Sequence, residues 1–237
     1  MKLSAPIFRL KRQAKLLARE SDLPLHVALD QVARNEGFRA WSHLAASVSG
    51  RPSAREVLAR FSPGDLVVLG GRPGHGKTLM GLDLALEAGR AGRPAFFFTL
   101  EDHEGVVFDR LEKLGADRKL VEDKLTVDTS DDICAAHIID RVSSERSSAL
   151  VIIDYLQLLD QRRRNPELDI QMKALRSFAS ATGSVIVALS QIDRSFEATG
   201  RQVPDRVDIR LPNPLDISLF TKACFMHAGG AHLEKLA

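Results

Sequence analysis

Cysteine and long apolar runs are both scarce in this sequence. The 237 residues contain two cysteines, Cys134 and Cys224, which cannot build a disulfide framework, so we expect a reducing, cytoplasmic environment. No run of about 18 apolar residues occurs, which predicts that no helix crosses a membrane and that a membrane is not a partner. The first 15 residues lack the apolar core of a secretory signal.

An overall excess of charge is also lacking, because the net charge is +2. The distribution is uneven, however. Residues 1–60 contain 11 Lys and Arg against 5 Asp and Glu, giving +6, so residues 61–237 carry −4. A basic N-terminal part favours contact with nucleic acid or with an acidic partner that the sequence does not identify. A solvated helical arm with its basic side chains in water is the alternative.

Apolar runs alternate with helical patterns after residue 61. The runs at 66–70, 95–99, 125–128, 149–154, 184–190 and 222–227 predict strands. The segments 77–90, 105–114, 133–145 and 167–181 predict the helices between them. The strands show no polar alternation, which is typical of a sheet covered by helices on both faces. The sequence therefore predicts an α/β fold with a parallel sheet.

Three regions are expected along the chain. Residues 1–50 form a basic helical unit, in which Pro24 starts a second helix and Gly37 ends it. Residues 51–60 form a linker with a short helix that Ser53 caps. Residues 61–237 form the main domain.

A phosphate-binding motif follows the first predicted strand. The eight residues from Gly71 to Thr78 match G-x-x-x-x-G-K-[ST] at every fixed position, which is the Walker A pattern. Its glycines let backbone N–H groups point at phosphates, and the next helix presents its positive end to them. A glycine-rich surface turn is the alternative. The residues predicted to surround the nucleotide are Gly71, Arg72, Pro73, Gly74, His75, Gly76, Lys77, Thr78 and Leu79.

Other parts of a nucleotide-hydrolysing site lie at the ends of three further strands. Asp154 ends a buried strand and is the candidate for holding Mg²⁺ through water, together with the Thr78 hydroxyl. Glu101 is the candidate base, with Asp102 and Glu104 as competing carboxylates. Gln191 places an amide where it can sense the γ-phosphate.

The stretches GGRPGHGKT, FFFTLED, LVIIDYLQLL and VIVALSQIDRSFE together resemble the ATPase domain of the DnaB-type replicative DNA helicases, over roughly residues 58–228. The resemblance implies a RecA-like P-loop fold and an ATP-hydrolysing enzyme of DNA replication that uses Mg²⁺. It implies that Lys77, Glu101 and Gln191 are catalytic and that Asp154 is the Walker B acid. It further implies a homo-oligomeric, hexameric ring with ATP at subunit interfaces and single-stranded DNA in the channel.

The sequence departs from that family at both ends. The basic helical unit stands where the family has a collar domain, and no arginine follows Arg210, where the family supplies a trans-acting Lys/Arg pair. We therefore expect a short form in which unwinding is in doubt. Arg194, Arg201, Arg206 or Arg210 could replace the missing cation across an interface. The alternative function is a nucleotide-dependent switch or binding module without unwinding activity.

Two loops carry candidate DNA contacts. Arg162, Arg163 and Arg164 follow the DYLQLL stretch, and Arg194 and Arg201 follow Gln191. Arginines on loops suit contacts with the phosphate backbone, although a solvated loop is the alternative. Aromatic residues make up 5% of the chain and few flank these loops, so a base-stacking platform is not indicated. Cys224, His227 and His232 form an incomplete zinc pattern, which favours a core cysteine and surface histidines.

Overall fold

The computed structural model describes residues 3–5, 7–48, 52–145, 147–160, 165–201, 203–211, 213, 215–227 and 230–236. Within these residues seven strands form one sheet: β1 Leu66–Gly71, β2 Ala95–Thr99, β3 Leu125–Asp128, β4 Leu150–Asp154, β5 Val185–Gln191, β6 Lys222–His227 and β7 Gly230–Lys235. Their order across the sheet is β3-β2-β4-β5-β1-β6-β7. All neighbouring strands are parallel except β6 and β7.

Nine α-helices lie in the described residues: α1 Ile7–Glu20, α2 Leu25–Asn35, α3 Trp41–Val48, α4 Ala54–Leu58, α5 Lys77–Arg90, α6 Glu104–Lys113, α7 Arg118–Lys124, α8 Ala135–Ser143 and α9 Leu168–Thr182. Short 3-10 helices occur at Leu156–Asp160, Arg194–Thr199, Arg206–Asp208 and Ile217–Leu219. None of the described helices is long and apolar enough to cross a membrane.

The central strands are buried on both faces, because side chains alternate between two apolar layers. On one face Val68, Ile153 and neighbouring side chains pack against α8 and α9. On the other face Leu69, Ile152 and their neighbours pack against α4, α5, α6 and α7. This arrangement confirms the predicted α/β fold with helices on both faces of a mostly parallel sheet.

The structure adds two elements to the prediction. Helix α7 lies between α6 and β3, and β7 pairs antiparallel with β6 at one edge. Both carry weak sequence signals: α7 buries one side chain, Val121, and β7 lies at a sheet edge with a mixed sequence of apolar and charged residues.

Helices α1, α2 and α3 form the N-terminal unit, which has its own apolar cluster. The buried side chains of this cluster are Leu10, Ala14, Ala28, Val32, Ala33 and Leu44. Pro24 occupies the N-cap of α2 instead of its first turn, and Gly37 follows the C-cap with the left-handed φ of +83° that its residue type favours. The division of the chain into three regions stays a prediction.

A hydrogen bond and an ion pair connect the N-terminal unit to the outer side of α5. His43 Nε2 lies 3.2 Å from Asp83 Oδ1, and Arg39 Nη1 lies 3.1 Å from Glu87 Oε1. A cavity of about 1100 Å³ lies beside these contacts and is also lined by the segment around α4. In that segment Ser53 caps α4 in a reciprocal capping box with Glu56, as predicted.

Helix α5 packs against the sheet at a glycine. A methyl group on Gly81 would come within 3.0 Å of Ile152 Cγ2 and 3.2 Å of Leu189 Cδ1. A methyl group on Gly105 in α6 would meet only His103 Cδ2, at 3.9 Å. We expect Gly81→Ala to lower the free energy of unfolding by about 1–3 kcal/mol through overpacking. The matched Gly105→Ala change should raise it by up to about 1 kcal/mol, because alanine favours helix.

Urea denaturation of both variants beside the wild type measures these changes. Equal stabilities for the two alanine variants would contradict the close packing of α5 on the sheet.

Candidate nucleotide site

The candidate site lies at the carboxyl edge of β1, β2, β4 and β5. Strand β1 ends at Gly71, and α5 begins at Lys77 after the predicted phosphate loop. Gly74 and Gly76 have φ values of +76° and +81°, which disfavour any residue with a Cβ. A methyl group at either position would meet nothing within 4 Å, so backbone conformation explains these two glycines. The loop therefore places the N-terminus of α5 at an open edge of the sheet.

Lys77 lies folded back against this loop. Its Nζ donates a hydrogen bond to the Arg72 carbonyl oxygen at 3.3 Å. A Cβ on Gly71 would come within 3.1 Å of Lys77 Cγ, so this glycine permits the close approach of the lysine stem. Burial lowers the pKa of Lys77, while the charges of Asp154 and Glu101 oppose that change.

Asp154 ends β4 and its side chain is 2% exposed. The Thr78 hydroxyl lies beside this carboxylate and lowers its pKa. Asp154 Oδ2 is buried and has no hydrogen-bond partner among the described residues. Burial raises the pKa of Asp154 to about 6; the Thr78 hydroxyl and Lys77 oppose the rise, while Glu101 and Asp102 add to it.

A divalent cation suits these donors. An unpartnered buried carboxylate oxygen beside a threonine hydroxyl presents oxygen ligands of the kind that Mg²⁺ prefers, directly or through water. Thr78 and Asp154, both predicted from the sequence, therefore fit a magnesium site.

The three candidate carboxylates after β2 are in different surroundings. Arg110 binds Asp102 through both terminal guanidinium nitrogens, at 2.5 and 3.0 Å. Glu104 is the first residue of α6 and is exposed. Glu101 is exposed, and its charge acts on both Lys77 and Asp154. Of the three, Glu101 is the carboxylate whose charge raises the pKa of Lys77.

Gln191 is the last residue of β5 and lies opposite Gly71 in the parallel register. Arg210 Nη1 donates to Gln191 Oε1 at 3.4 Å, and the Arg210 backbone N–H donates to the Gln191 carbonyl at 2.8 Å. Gln157 Nε2 also donates to the Arg210 carbonyl at 2.7 Å. The involvement of Gln157 was not predicted, although it lies in the DYLQLL stretch three residues after Asp154.

The remaining candidates occupy varied positions. Arg72 forms an ion pair with Glu197, and His75 Nδ1 is buried with no partner among the described residues. Arg201 pairs with Asp205 at 2.6 Å and with Asp208 at 2.5 Å, so its charge is already compensated.

Arg194 is exposed at the start of its 3-10 helix, whereas Arg162, Arg163 and Arg164 lie outside the described residues. Cys224 is buried, which raises its thiol pKa to about 12. No group of three or more His, Cys, Asp or Glu side chains suited to a metal occurs in the described part of the chain.

Comparison with known proteins matches residues 107–214 to the family described as DnaB-like helicase C terminal domain. The replicative DNA helicase DnaB of Leifsonia xyli is 26% identical over 219 residues, which is 78% of this chain and 47% of the relative. A probable plasmid replicative DNA helicase of Chlamydia trachomatis is 28% identical over 199 residues, covering 69% of this chain and 43% of the relative. The chain thus spans less than half the length of these curated relatives.

A solved structure supports the same fold. The structure of a DnaB-like replicative helicase, described with its interactions with primase, has a TM-score of 0.61 and 18% sequence identity. The match covers 92% of this chain and 65% of that chain. At this identity the match shows a shared fold.

The raised pKa of Asp154 predicts a stability cost in protein free of nucleotide and magnesium. Because the folded state binds this proton more tightly than the unfolded state, stability falls as pH rises from about 4 through 6. At about 1.4 kcal/mol per pKa unit, Asp154→Asn should raise the free energy of unfolding by roughly 2–3 kcal/mol at pH 7.5. The gain should vanish towards pH 4.

Thermal unfolding in EDTA across this pH range measures the effect. Asp102→Asn is the matched control, because it removes a carboxylate that Arg110 already pairs. A pH-independent gain for Asp154→Asn, or an equal gain for Asp102→Asn, would contradict the assigned cause.

Proposed function

Because the chain is related to the DnaB-like helicases through their C-terminal domain, we propose that it binds ATP with Mg²⁺ and hydrolyses the bond to the γ-phosphate. One observation carries the proposal. Lys77 at the start of α5, Asp154 at the end of β4 and Glu101 just after β2 stand at the carboxyl edge of the sheet, beside the phosphate loop. This arrangement combines an anion site, a cation site and a carboxylate base at one edge of the sheet.

Each residue has a distinct task in the proposed reaction. The loop N–H groups and Lys77 hold the β- and γ-phosphates, while Thr78 and Asp154 hold the magnesium ion. When bound, magnesium neutralises charge on the phosphate oxygens. Glu101 orients a water molecule for in-line attack and accepts its proton. Gln191 hydrogen bonds the γ-phosphate and links it, through Arg210, to the loop between them.

Single-stranded DNA and further copies of the chain are the proposed partners. The relatives are named as replicative DNA helicases, which supports a role on DNA in replication for this chain. The exposed Arg194 lies on the segment that follows Gln191 and is available to a phosphate backbone. A homo-oligomeric ring, hexameric by the family resemblance, would place ATP between subunits.

One observation favours a second candidate, a nucleotide-dependent switch without unwinding activity. Arg201, a predicted DNA contact, is held by two carboxylates and lies 5.3 Å from the Phe196 ring centroid. The contacts of Arg201 therefore all lie within its own loop, between residues 196 and 208. A loop held together in this way suits a segment that changes conformation with the bound nucleotide and signals to a partner.

The proposed chemistry predicts how variants turn over ATP. Lys77→Ala and Glu101→Gln should each lower turnover by about 100-fold or more, because they remove the phosphate cation and the base. Glu104→Gln is the matched carboxylate control and should keep turnover within about twofold, since Glu104 begins α6 away from Lys77. Glu101→Gln should still bind a fluorescent ATP analogue.

Phosphate release and analogue titration measure these effects. Wild-type turnover no faster than that of Lys77→Ala would rule out the ATPase proposal.

The contact between Gln191 and Arg210 predicts how DNA acts on turnover. Single-stranded DNA should raise wild-type turnover, and Gln191→Ala should remove most of that stimulation while ATP analogue binding persists. Gln31→Ala, on the exposed side of α2, is the amide control and should respond as the wild type does. The assay is steady-state turnover with and without a 30-nucleotide strand. Tight ATP binding with negligible turnover in both conditions would select the switch instead.

A further inference from the structure

Helix α1 carries a concentration of positive charge that the proposed nucleotide site does not use. Five of its side chains are cationic and one, Glu20 at its last position, is anionic. The five cations, which we call the basic arc, are Arg9, Lys11, Arg12, Lys15 and Arg19. The chain as a whole carries +2, so everything outside this helix is net negative by 2.

The basic arc occupies one side of the helix. At about 100° per residue, Lys11, Lys15 and Arg19 form one stripe, and Arg12 and Arg9 continue it around the cylinder. The opposite side holds Leu10 and Ala14, which are 1% and 0% exposed in the apolar cluster with α2 and α3. All five cations are exposed. Packing of the N-terminal unit therefore turns the charged half of α1 outward.

Nothing in the described part of the chain neutralises this surface. The ion pairs there connect other groups, such as Arg39 with Glu87 and Lys173 with Asp169, and none includes a member of the basic arc. The first turn of α1 contains no acidic residue. These five charges lie within the eleven residues from Arg9 to Arg19 and span about 15 Å along the helix axis.

The arc matches a phosphate backbone better than the other anionic surfaces. The arc is about 15 Å long, so it can follow several phosphates of a duplex, whose strands rise about 3.4 Å per phosphate. The major groove of the duplex is about 12 Å wide, which is wide enough for a helix. Leu16, 48% exposed, is the large apolar side chain that stands out among those described on this side of α1, and a lone aliphatic residue is a poor anchor for a protein interface. The apolar side of α1 is buried, so no face remains to insert into a membrane.

We infer that the basic arc of α1 is a nucleic-acid-binding surface that contacts the phosphate backbone without reading sequence. This binding does not depend on ATP, because the arc lies on the N-terminal unit and shares no residue with the nucleotide site. The unit would tether the ATPase domain to DNA.

The test removes three charges from the arc in the full chain. The variant Lys11→Gln/Lys15→Gln/Arg19→Gln is compared with Lys113→Gln/Arg118→Gln/Lys119→Gln, which makes the same change in net charge on exposed positions of α6 and α7. Binding to a fluorescent 20-base-pair duplex and to a 20-nucleotide single strand is measured by anisotropy, in EDTA without nucleotide, from 50 to 300 mM salt. Anionic lipid vesicles form a third arm.

We expect the arc variant to bind at least tenfold more weakly at 50 mM salt than the control variant. Its slope of log K against log salt should flatten by about 0.9 per lost contact on the duplex, or about 0.7 on the single strand. Of the duplex and the single strand, the one whose affinity falls more in the arc variant is the preferred ligand of the arc. Lys11→Arg/Lys15→Arg/Arg19→Lys keeps the charge and should bind as the wild type does, and Tm values of all variants should agree because the sites are exposed.

Equal affinities and slopes for the arc and control variants would overturn the inference, as would arc-dependent binding to vesicles with none to DNA. Repeating the titration with Lys77→Ala separates this inference from the proposed ATPase, because arc-dependent binding should persist when turnover is lost.

Discussion

Burial of the central strands on both faces is the constraint on which the rest of the structure depends. The buried apolar residues of β1, β4 and β5 alternate between two apolar layers, so a shift of register by one residue would exchange the layers. The fixed register sets Gly71 opposite Gln191 and Thr99 opposite Asp154 at the same edge. Packing energy in the core thereby positions polar side chains that contribute little to packing themselves.

The same burial explains which elements could be predicted. Continuous apolar runs predicted the bounds of strands β1 to β5 to within one or two residues. The phosphate motif predicted that α5 begins at Lys77. The elements that sequence alone did not reveal are those with one buried side or a single neighbour. Helix α7 depends on Val121 for its contact with the core, and β7 depends on β6 for its pairing.

The candidate site likewise has residues that the sequence could predict and residues that it could not. Its motif residues follow from local spacing, because each stands at the end of a strand or the start of a helix. Spacing could not separate Glu101 from Asp102, since that difference arises from Arg110, eight residues along the chain on α6. Nor could it place Gln157 against Arg210, a contact between residues 53 positions apart that exists only once the sheet has formed.

The two polar contacts between the N-terminal unit and α5 have a consequence for assembly. Asp83 and Glu87 face away from the sheet, and His43 and Arg39 of the same chain already occupy them. The back of the phosphate-loop helix is thus closed to a neighbouring copy. In any ring of such chains, subunits would have to meet through other surfaces.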